Sequence, residues 1–251
     1  MSNDVNEPLI LAIETATRTG GVAVTRGAHV LSAVAGDSSV SHSANLLEMI
    51  EQALSETKVS LSDIELYAVA EGPGSFTGLR IGLATAKAFA VHLRRRVVGV
   101  STLAAVAHAS DVRGDVVSLL TAGRGEVFAQ RFSVNDDLVS AVDEAQHLTP
   151  RAVCEKYARI ESLAFAGEGM RMIEELRVPP LDGIVEDENV LPKVGTPNTT
   201  LAPSIALLAF RAFEEGKSVV AEELRAVYVR ASDAEINERW QQQKLQQQPG
   251  S

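Results

Sequence analysis

The apolar positions of this chain alternate between two periods. Leu9 to Glu14 is a short apolar run suited to a buried strand, and Gly21 to Thr25 and Val30 to Ala35 read as two more strands after the Gly20-Gly21 turn. From about Ser43 the period changes: Leu46, Leu47, Ile50, Ala53 and Leu54 recur at helical spacing. Leu66 to Ala70 returns as a strand, Ser75 to Leu93 as a helix and Val97 to Val100 as a short strand. The second half repeats this order. Val116 to Thr121 and Glu126 to Val134 predict strands around a Gly123–Gly125 turn, with Leu138 to Ala145 as a neighbour. A helix from Pro150 to Arg159 starts on the proline that helices favour, followed by a strand over Ser162 to Gly167 and a short helix over Met170 to Leu176. The repeated order predicts two similar α/β lobes, at 8–110 and 111–236.

Val178 to Pro203 is rich in Pro, Gly, Asn and Asp and reads as an irregular excursion. Leu201 to Glu215 predicts an amphipathic helix and Leu224 to Val229 an edge strand. The glutamine-rich end, 237–251, has too little apolar surface to offset its ordering entropy and is expected to be disordered.

The 251 residues carry 45% hydrophobic side chains, enough for a packed core. No apolar run reaches the roughly 18 residues of a membrane helix; Leu79 to Leu93 is interrupted by Lys87. Met1 to Pro8 carries Asp4 and Glu7 and is unlike a secretory signal. The single cysteine, Cys154, cannot form an internal disulfide. These features predict a cytoplasmic protein. A net charge of −10 makes it a poor independent nucleic-acid binder, so no direct tRNA binding is expected. The exception, Arg94-Arg95-Arg96, reads as cations at a helix C-terminus rather than as a phosphate contact.

The densest signal is Glu71-Gly72-Pro73-Gly74-Ser75-Phe76-Thr77-Gly78-Leu79-Arg80, which joins a strand to a helix. Ser75 suits an N-cap. Leu79-Arg80 after Gly78 excludes a Walker A loop. Along the helix, Gly78, Gly82, Ala86 and Ala90 recur every four residues. A helical glycine costs about 1 kcal/mol relative to alanine, so something packs very close to this stripe. Its partner is either the chain's own sheet or first helix, or a helix of another subunit. Arg80, Ala84 and Ala88 define a second stripe.

Five segments in order resemble the TsaB (YeaZ) family, which acts in making threonylcarbamoyladenosine in tRNA. They are Ile13-Glu14-Thr15-Ala16-Thr17, His42-Ser43-Ala44-Asn45-Leu46-Leu47, Gly72 to Ala90, Gly99-Val100-Ser101-Thr102-Leu103, and Tyr228-Val229-Arg230 with Ala234-Glu235. The resemblance implies the actin-like ATPase (ASKHA, ribonuclease-H-like) fold: α/β, two related lobes, mixed β-sheets flanked by helices. In catalytic relatives of that fold an acid at the end of the first strand helps hold a metal–nucleotide. Glu14 occupies that place, with Thr15 to Gly20 as the phosphate-side turn and Thr121 to Gly125 as its counterpart.

The catalytic relative TsaD holds a metal through a His-x-x-x-His pair. Here the comparable stretch, Ser101 to Val106, has no imidazole, and His29, His42, His92, His108 and His147 include no pair three or four residues apart. The resemblance therefore implies a noncatalytic subunit without a cofactor or metal. It would be required for threonylcarbamoyl transfer to the adenosine beside the anticodon, as a dimerisation platform for a TsaD-type catalytic subunit and a TsaE-type ATPase. A homodimer would form when it is alone. The expected interface is Ser43, Leu46, Leu47, Ile50, Gly78, Arg80, Ile81, Gly82, Ala84, Thr85, Ala86 and Ala88. One departure is Thr121-Ala122-Gly123, where family members often have Asp-Ala-Arg. The alternatives are a free-standing ATP-dependent phosphotransferase supported by Glu14, a metallopeptidase, and a generic interaction module. On this reading Gly82→Leu or Ala86→Leu blocks co-purification with TsaD without unfolding the chain.

Overall fold

A computed structural model describes residues 7–39, 41–136, 138–160, 162–174 and 200–229. The expected excursion after Val178 falls mostly outside them, as does the 237–251 tail. Two mixed sheets form the frame. The first runs β3 (His29–Ala35), β2 (Gly21–Arg26), β1 (Leu9–Glu14), β4 (Leu66–Gly72), β5 (Arg96–Ser101). The second runs β10 (Ala164–Ala166), β6 (Gly114–Gly123), β7 (Glu126–Asn135), β8 (Leu138–Ala141), with β9 (Gln146–Leu148) also on β7. In each, the lobe's first strand pairs antiparallel with its second, the second pairs antiparallel with its third, and a strand reached through a helix adds parallel to the first. The two lobes repeat each other as the element order predicts, and the frame is the actin-like one that the resemblance implies.

Period-2 patterning fixes the second sheet's two faces. Val117, Leu119, Val127 and Ala129 pack with Val153, Cys154 and Tyr157 of α4 (Pro150–Tyr157) and with Met170 and Ile173 of α5 (Met170–Glu174). The intervening Val116, Leu120, Phe128, Phe132 and Val134 pack instead on Leu103, Val106 and Ala107 of α3 (Thr102–Ala109). A register slip of one residue would exchange these sets. Helix α3 also sends Ala105 into the first core, so it is where the two cores meet.

The first sheet is covered on both sides. β1 is buried throughout, as expected for a strand with helices on both faces. α1 (His42–Thr57) and α2 (Phe76–Leu93) form one layer and α6 (Ala202–Glu214), meeting α3, the other. Ala202, Ile205, Ala206, Ala209 and Phe210 of α6 are part of the first core, so dividing the chain at 110 does not describe this helix. One element was not anticipated and one reading needs correction. Thr102–Ala109 is a helix that no periodicity announced, since eight largely apolar residues carry no face. Leu224 to Val229 forms no strand; the Val227 N–H donates to the Glu71 carbonyl at 2.7 Å, while Val219 bridges Val97 beside β5.

Asp143 ties the second lobe's edge together. Its carboxylate accepts from Lys156 Nζ at 2.6 Å, the Tyr157 hydroxyl at 2.7 Å and the Arg131 N–H at 2.8 Å. Burial pushes this carboxyl up, but the bonds from Lys156, Arg131 and Tyr157 outweigh it and hold the group below its ordinary 3.8. Burial and the Asp143 carboxylate together push the Tyr157 hydroxyl well above its usual range. A depressed carboxyl stabilises the fold fully above its unfolded value and loses that contribution as pH falls through the folded one. Asp143→Ala is therefore expected to cost about 2 kcal/mol at pH 7, with the difference from wild type shrinking as pH falls below about 4. Urea denaturation across pH measures both.

Candidate functional site

The informative segment lies where β1, β4 and α2 converge. The structure places Glu14 at the end of β1, fully buried. Its Oε1 accepts from the N–H groups of Ala16 at 2.6 Å and Thr17 at 2.7 Å, and its Oε2 from the Thr17 hydroxyl at 2.7 Å. The carboxylate is thus held by the turn that follows it. That turn in turn grips α2: the Thr15 hydroxyl donates to the Gly78 carbonyl at 2.8 Å, and the Ser75 N–H to the Ala16 carbonyl at 2.8 Å. Ser75 caps α2 as expected, accepting from the Gly78 N–H at 3.2 Å.

The glycines are explained by this grip. A side-chain carbon on Gly78 would overlap the Thr15 carbonyl oxygen, and one on Gly82 would overlap the Thr15 hydroxyl and touch Ile13. The stripe's close neighbour is the chain's own first strand and turn. Gly78 and Gly82 are buried there, and Ala86, Leu46 and Ile50 are buried in the first core. These five residues of the expected partner surface therefore face inward in this chain, which corrects their placement on it.

The other seven, Ser43, Leu47, Arg80, Ile81, Ala84, Thr85 and Ala88, reach the surface. Leu47 is 64% exposed on α1, an unusual position for a leucine, although helical spacing groups it with Leu46 and Ile50. Arg80, Ala84 and Ala88 run along the outer side of α2, with Ile81 and Thr85 half-buried beside them. The Arg80 guanidinium stands over the Phe76 ring at 3.9 Å. Tyr228 packs against the same ring, with centroids 5.2 Å apart. Sequence reading missed this trio, because Tyr228 lies far along the chain. The Glu71–Val227 backbone bond brings it there, with Val227 so close to Gly72 (φ 126°) that a side-chain carbon on the glycine would overlap its carbonyl. Burial pushes the nearby Glu71 carboxyl above its ordinary range.

The remaining sequence candidates fall elsewhere. Arg95 donates to the Ser62 carbonyl at 3.2 Å, and Arg96 bonds the Ser218 hydroxyl and carbonyl, so two of the three arginines are pinned to the chain's own loops. The Thr121–Gly125 turn closes the β6–β7 hairpin, and the Thr121 hydroxyl donates to Glu168 at 2.7 Å. Nearby, His147 Nε2 lies 2.9 Å from Glu126. Among the described residues, no three His, Cys, Asp or Glu side chains come together as a metal site. No helix among them is long and apolar enough to cross a membrane.

Comparison with known proteins follows the same outline. Residues 34–195 match the family described as TsaD, tRNA N6-adenosine threonylcarbamoyltransferase. The chain is 29% identical over 230 residues to the tRNA threonylcarbamoyladenosine biosynthesis protein TsaB of Escherichia coli (strain K12), covering 88% of this chain and 94% of that protein. It is 29% identical over 140 residues to the protein of the same name from Bacillus subtilis (strain 168), covering 55% and 61%. Among solved structures, an uncharacterized Pseudomonas aeruginosa protein described as similar to peptidase YEAZ superimposes with a TM-score of 0.73 at 26% identity, covering 89% of this chain and 100% of that one.

The inward geometry reverses the expectation for Gly82→Leu and Ala86→Leu. Each is now expected to damage the fold, because a leucine at Gly82 must displace the Thr15 hydroxyl and one at Ala86 enters a fully buried position. Gly78→Ala alone is expected to destabilise by about 1–3 kcal/mol, as overpacking does. Thermal and urea denaturation of the purified variants, compared with Ala84→Leu as a surface control, measure the difference.

Proposed function

The chain belongs to the TsaD-type family, with its likeness over most of its length running to the TsaB (YeaZ) proteins, and on that premise we propose that it is a noncatalytic subunit in tRNA threonylcarbamoyladenosine biosynthesis. In this reading it is needed for transfer of the threonylcarbamoyl group to the adenosine beside the anticodon. The transfer chemistry belongs to a TsaD-type partner, and a TsaE-type ATPase joins the pair. The protein works in the cytoplasm, binds no tRNA by itself and needs no cofactor of its own.

The observation that carries this reading is the division of α2 into two sides. The inner side is fixed to β1 by contacts that leave no room for side chains. The outer side presents Arg80, Ala84 and Ala88 at helical spacing, and Leu47 is exposed on α1, which contacts α2. Small residues let a second helix approach closely, and an exposed leucine on the contacting helix offers apolar area to bury. We take Ser43, Leu47, Arg80, Ile81, Ala84, Thr85 and Ala88 as the partner surface. The same surface would serve a homodimer, so homodimer and heterodimer would compete for it.

The rival phosphotransferase reading leaned on Glu14. That carboxylate is already engaged by the main chain of its own turn, which removes the support.

Ala84→Arg and Leu47→Glu are expected to weaken complex formation with a TsaD-type protein at least tenfold. Stability should change by no more than about 0.5 kcal/mol, as for other surface substitutions. Reconstituted threonylcarbamoyl transfer should fall in proportion. Co-purification at wild-type yield by both variants would rule this surface out, and full transfer activity by the chain alone would rule out the noncatalytic role.

A further inference from the structure

The β1–β2 turn has the form of an oxyanion site. Two successive main-chain N–H groups, Ala16 and Thr17, converge on one oxygen, and the Thr17 hydroxyl meets the other. Successive N–H groups arranged in this way make an anion-binding concavity. A carboxylate removed from water is costly unless it is paired and hydrogen-bonded, and N–H groups buried without acceptors are costly too. Here each need meets the other. Glu14 is fully buried, and these three bonds to it are 2.7 Å or shorter, the range of charge-assisted bonds.

We infer that this turn is an oxyanion site whose resident ligand is the chain's own Glu14 carboxylate. The donors that could cradle an external phosphate or carboxylate are satisfied from within, and the same bonds that seal the site hold the turn against α2 through Thr15 and Ala16. The ligand class follows from the atoms involved. Replacing Glu14 with alanine deletes a methylene and a carboxylate, and acetate has a methyl and a carboxylate. Free acetate is therefore the matching occupant of the emptied site. This inference does not depend on the partner reading above.

The test is rescue of the full-length Glu14→Ala protein by sodium acetate, against sodium chloride at equal ionic strength. Wild type should melt at the same temperature in both salts. The variant should melt lower in chloride and gain about 3–5 °C when acetate reaches ten times its dissociation constant. Glu14→Gln, which keeps the pocket filled, should not respond. A phosphate series runs alongside. Stabilisation by acetate, with or without phosphate, supports the site, whereas stabilisation by phosphate alone overturns the ligand class. If Glu14→Ala does not fold in chloride, refolding yield replaces melting temperature: recovery in acetate supports the inference. Equal responses to acetate and chloride, or an equal acetate response in Glu14→Gln, overturn it.

Discussion

The approach of the Thr15 backbone to the backbone of Gly78 is the contact from which the rest of the first lobe takes its geometry. It leaves no room for a β-carbon on the helix. Around it, Thr15 and Ala16 each accept or donate one bond to the start of α2, and Glu14 fixes the turn that carries them. A carboxylate thus orders a turn, the turn orders a helix, and the helix presents its far side to solvent. Two glycines in a helix cost about 2 kcal/mol in propensity. The bonds to Thr15 and Ala16 and the packing of Ile13 against Gly82 offset that cost, and neither would survive a larger residue.

Much of the frame was legible because its signals are local. Glu126 to Val134 reads as an alternating strand, and in the structure Val127 and Ala129 enter one core while Phe128, Phe132 and Val134 enter the other. Ser75 as the α2 cap needed only the residues around it. What stayed hidden depends on long-range pairing. Helix α3 is short and apolar on all sides because it is wedged between two cores, so no polar face marks it. The 224–229 segment has strand-like composition, but a single backbone bond to Glu71 stands in place of a ladder. Asp143 draws on Arg131, Lys156 and Tyr157, whose convergence no spacing rule contains.

The glycine stripe is the instructive case for the site. Four-residue spacing of Gly78, Gly82, Ala86 and Ala90 reports close approach, and close approach is what the structure has. The spacing cannot say which neighbour approaches, because an internal strand and a partner helix make the same steric demand. Exposure decides. At Gly78 and Gly82 the neighbour is β1 and its turn, while Arg80, Ala84 and Ala88, one turn-face away, remain at the surface.

This arrangement separates frame from chemistry in physical terms. A fold does not fix a function; the groups at a site do. The actin-like frame brings a strand end, a tight turn and a helix start together, and an acid at that point has two uses: it can face outward to a ligand, or turn back onto the main chain. Glu14 turns back. The N–H groups it occupies gain their acceptors, the turn becomes rigid, and α2 gains a fixed seat. The lobe's rigidity and the sealing of its turn are therefore one set of bonds, so a substitution that opened the turn to outside anions would also loosen the helix that carries Arg80 and Ala84.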